Sequence, residues 1–279
     1  RQSTPALLGA FFAVLFLPTV FLNSAVWGQC DGTYVAMAVL AIWLALEGKP
    51  VLSMLCITLS FGFKLQAVFV MPLWAVFLMQ GKIRWKHLLI FPAAYVLLVL
   101  PAVLLGRPFL DTITLYFNQT GSIGSGLNYN SPSIFAVFWQ LQEPEPASTI
   151  AIAAAFIYMI NLLAVAWVNR AKLSDRAVIA LAVLFAVGIP FLLPHMHDRY
   201  FYAADILSVV LAYAMPVLWL AAPLTQFASL LGYHAYLKMR YLLPMRYGSA
   251  ALILTLALAL IGLLSSFLQE KSPRRKKRA

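Results

Sequence analysis

Charge is what this 279-residue sequence has least of. Asp, Glu, Lys and Arg together make up 10% of it, against 63% hydrophobic residues and a mean hydropathy of +0.87. A soluble domain of this length needs far more polar surface to cover its core. Acids are the scarcest: 9 Asp and Glu stand against 20 Lys and Arg, a formal net charge of +11. Cysteine is nearly absent. Cys30 falls in an expected loop and Cys56 inside an expected span, which argues against a disulfide and leaves no metal-type cysteine cluster. The alternating pattern of a membrane β-barrel is missing, as are a short-period repeat and a separate soluble domain. No signal-peptide charge cluster or cleavage site precedes the first apolar run, and the chain opens on Arg1 rather than Met. The first span starts within five residues, so an N-terminal part is expected to be missing from this sequence.

What the sequence does have is long uncharged runs. Pro5 to Leu22, Leu88 to Leu105, Ile150 to Val168, Ala177 to Leu193 and Tyr247 to Leu268 contain no ionisable Asp, Glu, Lys or Arg. Each approaches the roughly 20 residues a helix needs to cross the hydrocarbon core. Lipid offers no partners to backbone N–H and C=O groups, so such runs must be helical. The expected fold class is all-α: a polytopic transmembrane bundle of about ten segments over residues 1–270, with short broken or re-entrant helices. A basic tail follows at 271–279. The positive charge sits between spans and in that tail, where a topology signal belongs, and not on a nucleic-acid-binding face. No nucleic-acid partner is expected.

Charge asymmetry sets the orientation. Glu47 to Pro50, Gly81 to His87, Asn169 to Arg176 and the tail Lys271 to Arg278 read as cytoplasmic. Asn23 to Thr33, Arg107 to Ser148 and Pro194 to Arg199 read as facing the other side. Val51 to Gln80 then starts and ends on the cytoplasmic side, and is too short for two full crossings. It is expected to be two short helices, Val51–Phe63 and Gln66–Gln80, meeting near Lys64. Leu224 to Leu237 is a further short pass, which puts Lys238, Arg240 and Arg246 on the outer side, against the charge rule.

Polar residues at the ends of spans are costly and invite a functional reading. Four groups stand out. In Trp27-Gly28-Gln29-Cys30-Asp31, Gln29 suits sugar hydroxyls, and Asp31 is either a site residue or the N-cap of the next helix. Lys64, followed by Gln66, needs an anion: a protein carboxylate such as Asp31, or a ligand phosphate; snorkelling is a third option. Pro194-His195-Met196-His197-Asp198-Arg199-Tyr200, with Asp205 just beyond, is the densest polar cluster of the chain. Arg199 is a natural phosphate partner, and His195 and His197 can donate or exchange protons. A metal held by the two His with Asp31 or Asp205 is not expected, because His-x-His alone is a weak pattern. In the long loop, Asn128-Tyr129-Asn130 suits a carbohydrate acceptor, while Gly121 to Gly126 reads equally as a connector.

Taken in order, Trp-Gly-Gln-x-Asp after a span, Phe-Lys-x-Gln in a broken hairpin, a Pro-containing Asn-rich loop and His-x-His-Asp-Arg-Tyr before a span resemble the GT-C superfamily of membrane glycosyltransferases. The likeness runs from about Val26 to Tyr202. It is strongest to bacterial mannosyltransferase-related proteins of the glycosylphosphatidylinositol type, and more distant to the lipid-linked-oligosaccharide glucosyltransferases. The resemblance implies transfer of a hexose, mannose-like, from a polyprenyl-phosphate-linked donor to a glycan or lipid acceptor, with inversion, on the extracytoplasmic face of a bacterial inner membrane. It implies no cofactor. His195, His197, Arg199 and Lys64 would bind the donor phosphate. Trp27, Gln29, Gln66, Asn128, Asn130, Tyr200 and Asp205 would contact sugar or acceptor, and Asp31 is the candidate catalytic carboxylate. The superfamily's acid usually lies in the first outer loop, expected upstream of residue 1, which makes Asp31 a supporting residue if so. Ser131-Pro132-Ser133 stands where Asn-Pro-Asn is the family's pattern. A transporter or flippase for lipid-linked sugar is the alternative, since broken hairpins and intramembrane charges also occur there.

Overall fold

A computed structural model describes residues 4–119, 126–138 and 144–269. The chain is helical almost throughout. Its principal helices are α1 (Thr4–Leu15), α2 (Asp31–Leu46), α3 (Pro50–Phe63), α4 (Leu73–Met79), α5 (Ile90–Leu104), α6 (Pro144–Val168), α7 (Asp175–Leu192), α8 (Tyr202–Ala214), α9 (Ala221–Leu237) and α10 (Arg246–Gln269). Among the described residues four helical stretches are long and apolar enough to cross a membrane alone: Trp85–Leu104, Glu145–Val168, Asp175–Leu192 and Arg246–Gln269. A fifth is reached if α1 and Pro18–Val26, bent by 48°, form one span. The expected total of about ten requires the shorter helices α2, α3, α4, α8 and α9 as well. The basic tail 271–279 and most of the Gly/Ser stretch, 120–125, lie outside the described residues.

Burial sorts the helices into layers. α7 forms the axis, with 78% of its length buried, whereas Trp85–Leu104 has no buried residue and presents apolar side chains all round. A helix that is apolar on every face is stable only inside protein or lipid; α7 is the first case and α5 the second. α10 packs along α7 and α9, and α2 packs along α3. Small hydroxyls join the α2–α3 hairpin: Ser53 donates to the carbonyl of Ala41 at 2.8 Å and Ser60 to that of Tyr34 at 2.7 Å. Such interhelical bonds serve where lipid offers no competing partner.

The broken hairpin forms where charge asymmetry places it, with one correction. α3 ends at Phe63, and Lys64 is extended (φ −158°, ψ 131°). The return limb is not one helix from Gln66 to Gln80: Leu65–Phe69 is a 3₁₀ turn, and α4 starts only at Leu73. Pro72 supplies the reason, since it has no N–H to continue the ladder and restricts the residue before it. The long loop is also shorter than expected. Pro144 to Ser148 already belong to α6, and Phe109–Ile113 and Leu115–Gln119 are short helices.

The two ends of the bundle differ in charge. At one end Lys82 pairs with Asp175 and donates to the Leu46 carbonyl, while Gln80 donates to that of Leu173. This joins the three segments read as cytoplasmic. The opposite end collects the loops at 23–33, 64–66, 126–138 and 194–201.

Candidate active site

Asp31 begins α2 and does not cap it: the capping position is Cys30, with no side-chain cap bond. The carboxylate is fully buried. It accepts from Asn23 Nδ2 at 2.9 Å and forms an ion pair with Lys64 Nζ. Asn23 comes into reach because Leu22–Val26 is a π-helical turn, and its amide also approaches the Tyr233 hydroxyl at 3.3 Å. Lys64 Nζ lies 5.9 Å from the centre of the Tyr34 ring. Of the readings open for Lys64, the protein carboxylate is the one formed here.

The His loop closes over this pair. After Pro194 the backbone turns at His195 (φ 60°), a left-handed conformation that few residues other than glycine adopt. Met196–His197 (β2) then pairs in parallel with Asn128–Tyr129 (β1), and Asn130 bridges to His197. The Tyr129 ring stacks on the His197 imidazole at 4.8 Å between centroids, 13° from parallel. The long loop is therefore bound to the His loop at these residues.

Arg199 is held from several sides. Its guanidinium donates to Asp198 Oδ1 at 3.5 Å and lies 5.5 Å from the centre of the Trp27 ring. Trp27 in turn stacks on Tyr236 at 4.6 Å and meets Tyr233 edge-on at 5.4 Å. Arg199 Nε is buried with no hydrogen-bond partner. The Tyr200 ring lies 6.4 Å from that of Phe69, which places the broken hairpin beside the His loop.

The same residues act on one another electrostatically. Burial, together with the positive charges of Arg199 and Lys64, lowers the His197 pKa, so this imidazole is neutral near pH 7. Burial raises Asp198 to about 6, partly offset by Arg199 and reinforced by the Asp31 charge. Burial also raises the Tyr200 phenol, again with contributions from Asp31 and Asp198. Asp31, Lys64, His197, Asp198 and Arg199 thus share one field: two cations, each paired with its own carboxyl group, both act on a neutral imidazole.

Other expected site residues take different places. Both ring nitrogens of His195 are engaged, by the Gly126 carbonyl at 2.7 Å and Ser148 Oγ at 3.3 Å, so it clasps the loop. Asn128 makes a local turn with Ser131, and Asn130 accepts from the Tyr241 hydroxyl at 2.6 Å. Gln29 is half-buried, and its backbone N–H donates to the Asn23 carbonyl. Trp27 is occupied by protein rings and Arg199, which makes it a support for that cation. Asp205 lies a turn deeper, fully buried, accepting from Ser229 Oγ at 2.9 Å. Asn23 and Tyr233 belong to the site without having been singled out from the sequence, Tyr129 of the Asn-rich loop stacks on His197, and Asp198 carries more weight than a simple partner of Arg199. No three His, Cys, Asp or Glu side chains among the described residues are grouped to hold a metal ion.

A polar cluster of this kind, at one end of an apolar bundle, fits group transfer at a membrane surface. Compared with known protein families, residues 1–194 match Glycosyltransferase family 87. The chain belongs to glycosyltransferase family 87. No curated protein and no solved structure matches it. The matched stretch of this glycosyltransferase ends at Pro194, directly before His195. It holds Asp31, Lys64, Gln66 and the 126–138 loop, while the His loop that completes the cluster follows it.

Proposed function

We propose that this membrane glycosyltransferase moves a hexose, mannose-like, from a polyprenyl-phosphate donor to a glycan or lipid acceptor on the extracytoplasmic face, with inversion. The observation that carries the reading is the meeting of Lys64, His197 and Arg199 at the end of the bundle opposite the Lys- and Arg-rich loops. In the reaction an acceptor hydroxyl attacks the anomeric carbon and loses its proton to a carboxylate. The bond from that carbon to the phosphate oxygen breaks, and the lipid phosphate leaves with the electron pair. Its charge needs fixed positive partners in a site sheltered from water. Lys64 and Arg199 supply them, and neutral His197 donates a hydrogen bond. Asp31 orients Lys64, and its oxygens are occupied by Lys64 and Asn23. A cavity of about 430 Å³ lined by apolar residues of α1, α2 and α8, including Phe11, Val39 and Ile206, ends at Ser24, Gly32 and Tyr202 beside Asp31. It offers a place for part of the lipid chain.

The test is transfer of labelled hexose from a polyprenyl-phosphate donor by membranes containing the protein. His197→Ala and Arg199→Ala are each expected to lower the rate by on the order of 10²-fold or more. Variants with undiminished rates would overturn the assignment. Cysteines placed at 64 and 197 should react from the outer side only; access from each side in turn would mean transport.

A further inference from the structure

The stretch from Lys238 to Tyr247, which joins α9 to α10 and takes in the first residues of α10, is unlike the rest of the surface. Lys238, Arg240 and Arg246 are exposed, and none of the ion pairs among the described residues includes them. From Ile206 to Leu268 the sequence contains no Asp or Glu. Between the cations stand Met239, Tyr241, Leu242 and Tyr247, exposed by 86%, 59%, 59% and 48%. Such side chains at the end of two membrane helices sit in the interfacial layer, with cationic tips reaching the phosphates. The orientation bias runs the other way, because most loop Lys and Arg gather at the opposite end.

The segment is also attached to the active site. The Tyr241 hydroxyl donates to Asn130 Oδ1, and Asn130 bridges to His197. Tyr236, just before the segment, stacks on Trp27, which supports Arg199. Met239 is left-handed (φ 52°), and His234 Nδ1 lies 3.1 Å from the Arg240 carbonyl, which fixes the turn.

We infer that Lys238, Arg240 and Arg246 form a binding surface for anionic phospholipid headgroups at the rim of the active site. The headgroup phosphates supply the negative charge that the chain lacks here, and the apolar side chains enter the acyl region. Occupancy steadies Tyr241 and, through Asn130, the loop that stacks on His197. This reading is independent of the sugar donor, and its test requires no turnover.

The purified protein is placed in phosphatidylcholine nanodiscs with increasing phosphatidylglycerol, and retained lipid is counted by native mass spectrometry. Phosphatidylglycerol should be retained preferentially. Because each interfacial cation contributes about 1 kcal/mol, Lys238→Gln/Arg240→Gln/Arg246→Gln should weaken apparent affinity at least about ten-fold. Arg84→Gln/Lys86→Gln, at the other end, should leave that affinity unchanged. Should the triple variant not fold, Arg240→Gln alone should lower affinity several-fold. The inference is overturned if the preference survives these changes, if the control pair removes it equally, or if the unaltered protein has none.

Discussion

Lys64 and Asp31, 33 residues apart in sequence, form an ion pair at the junction of a helix start and a helix end, with the carboxylate buried. Removing one partner of such a pair strands a charge, at about 3–5 kcal/mol, whereas removing both is far milder. Lys64→Met is therefore expected to destabilise the detergent-solubilised protein strongly. Asp31→Asn/Lys64→Met should recover most of the loss in thermal unfolding. A double variant as unstable as Lys64→Met would show that Lys64 contributes through its packing and not through the pair.

How much of this was legible in the sequence depends on range. Apolar runs mark the helices, and charge asymmetry alone puts Lys64, Asp31 and the His loop at one end. Pro72 marks the break in the return limb, but hydropathy does not register a missing N–H. Asn23 reaches Asp31 only through a π-helical turn that composition does not mark, and its contact with Tyr233 spans 210 residues. The two-residue strands are too short for any periodicity. Asp198 lay in a recognised motif, yet its weight comes from burial, which composition does not reveal.

Asp198 gives a pH dependence whose sign is fixed by its burial. Its pKa in the fold is about 6 against an ordinary 3.8. The folded state holds the proton more tightly, so the associated stability is present below about pH 4 and is lost as pH rises through 6. The span corresponds to about 3 kcal/mol at most. Function runs the other way, because Arg199 gains a full ionic partner only when Asp198 ionises. Transfer activity should rise through pH 6, and Asp198→Asn should flatten that limb. A pH–rate profile unchanged in Asp198→Asn but altered in His197→Gln would assign the limb to the imidazole.

Gly232 in α9 is the point where the two site loops press on the bundle. A methyl group there would meet the Asn130 carbonyl oxygen at 2.9 Å, the Asp198 carbonyl oxygen at 3.1 Å and Asp198 Cβ at 3.2 Å. Two of these are backbone atoms, which cannot swing aside. Gly232→Ala is expected to cost about 1–3 kcal/mol and to lower transfer by displacing Asp198 and the strand beside it. Gly9→Ala, where the nearest atom is Tyr213 Oη at 3.4 Å, should behave like the unaltered protein. Equal effects at both positions in a melting and activity series would refute the close-packing argument.

The stack of Tyr129 on His197 links loop order to chemistry. An aromatic pair of this kind contributes about 0.5–1.5 kcal/mol beyond its area, and the strand pairing beside it is only two residues long. Without the ring, the neutral imidazole loses the surface on which it stacks. Tyr129→Ala should raise hydrogen exchange across 126–138 and lower the transfer rate. Tyr129→Phe keeps the stack but loses the hydroxyl that accepts from the Gly126 N–H at 3.0 Å. It should keep the rate near that of the unaltered protein, with faster exchange confined to Gly126 and its neighbours. If Tyr129→Phe were as slow as Tyr129→Ala, the hydroxyl and not the ring would be what orders the loop.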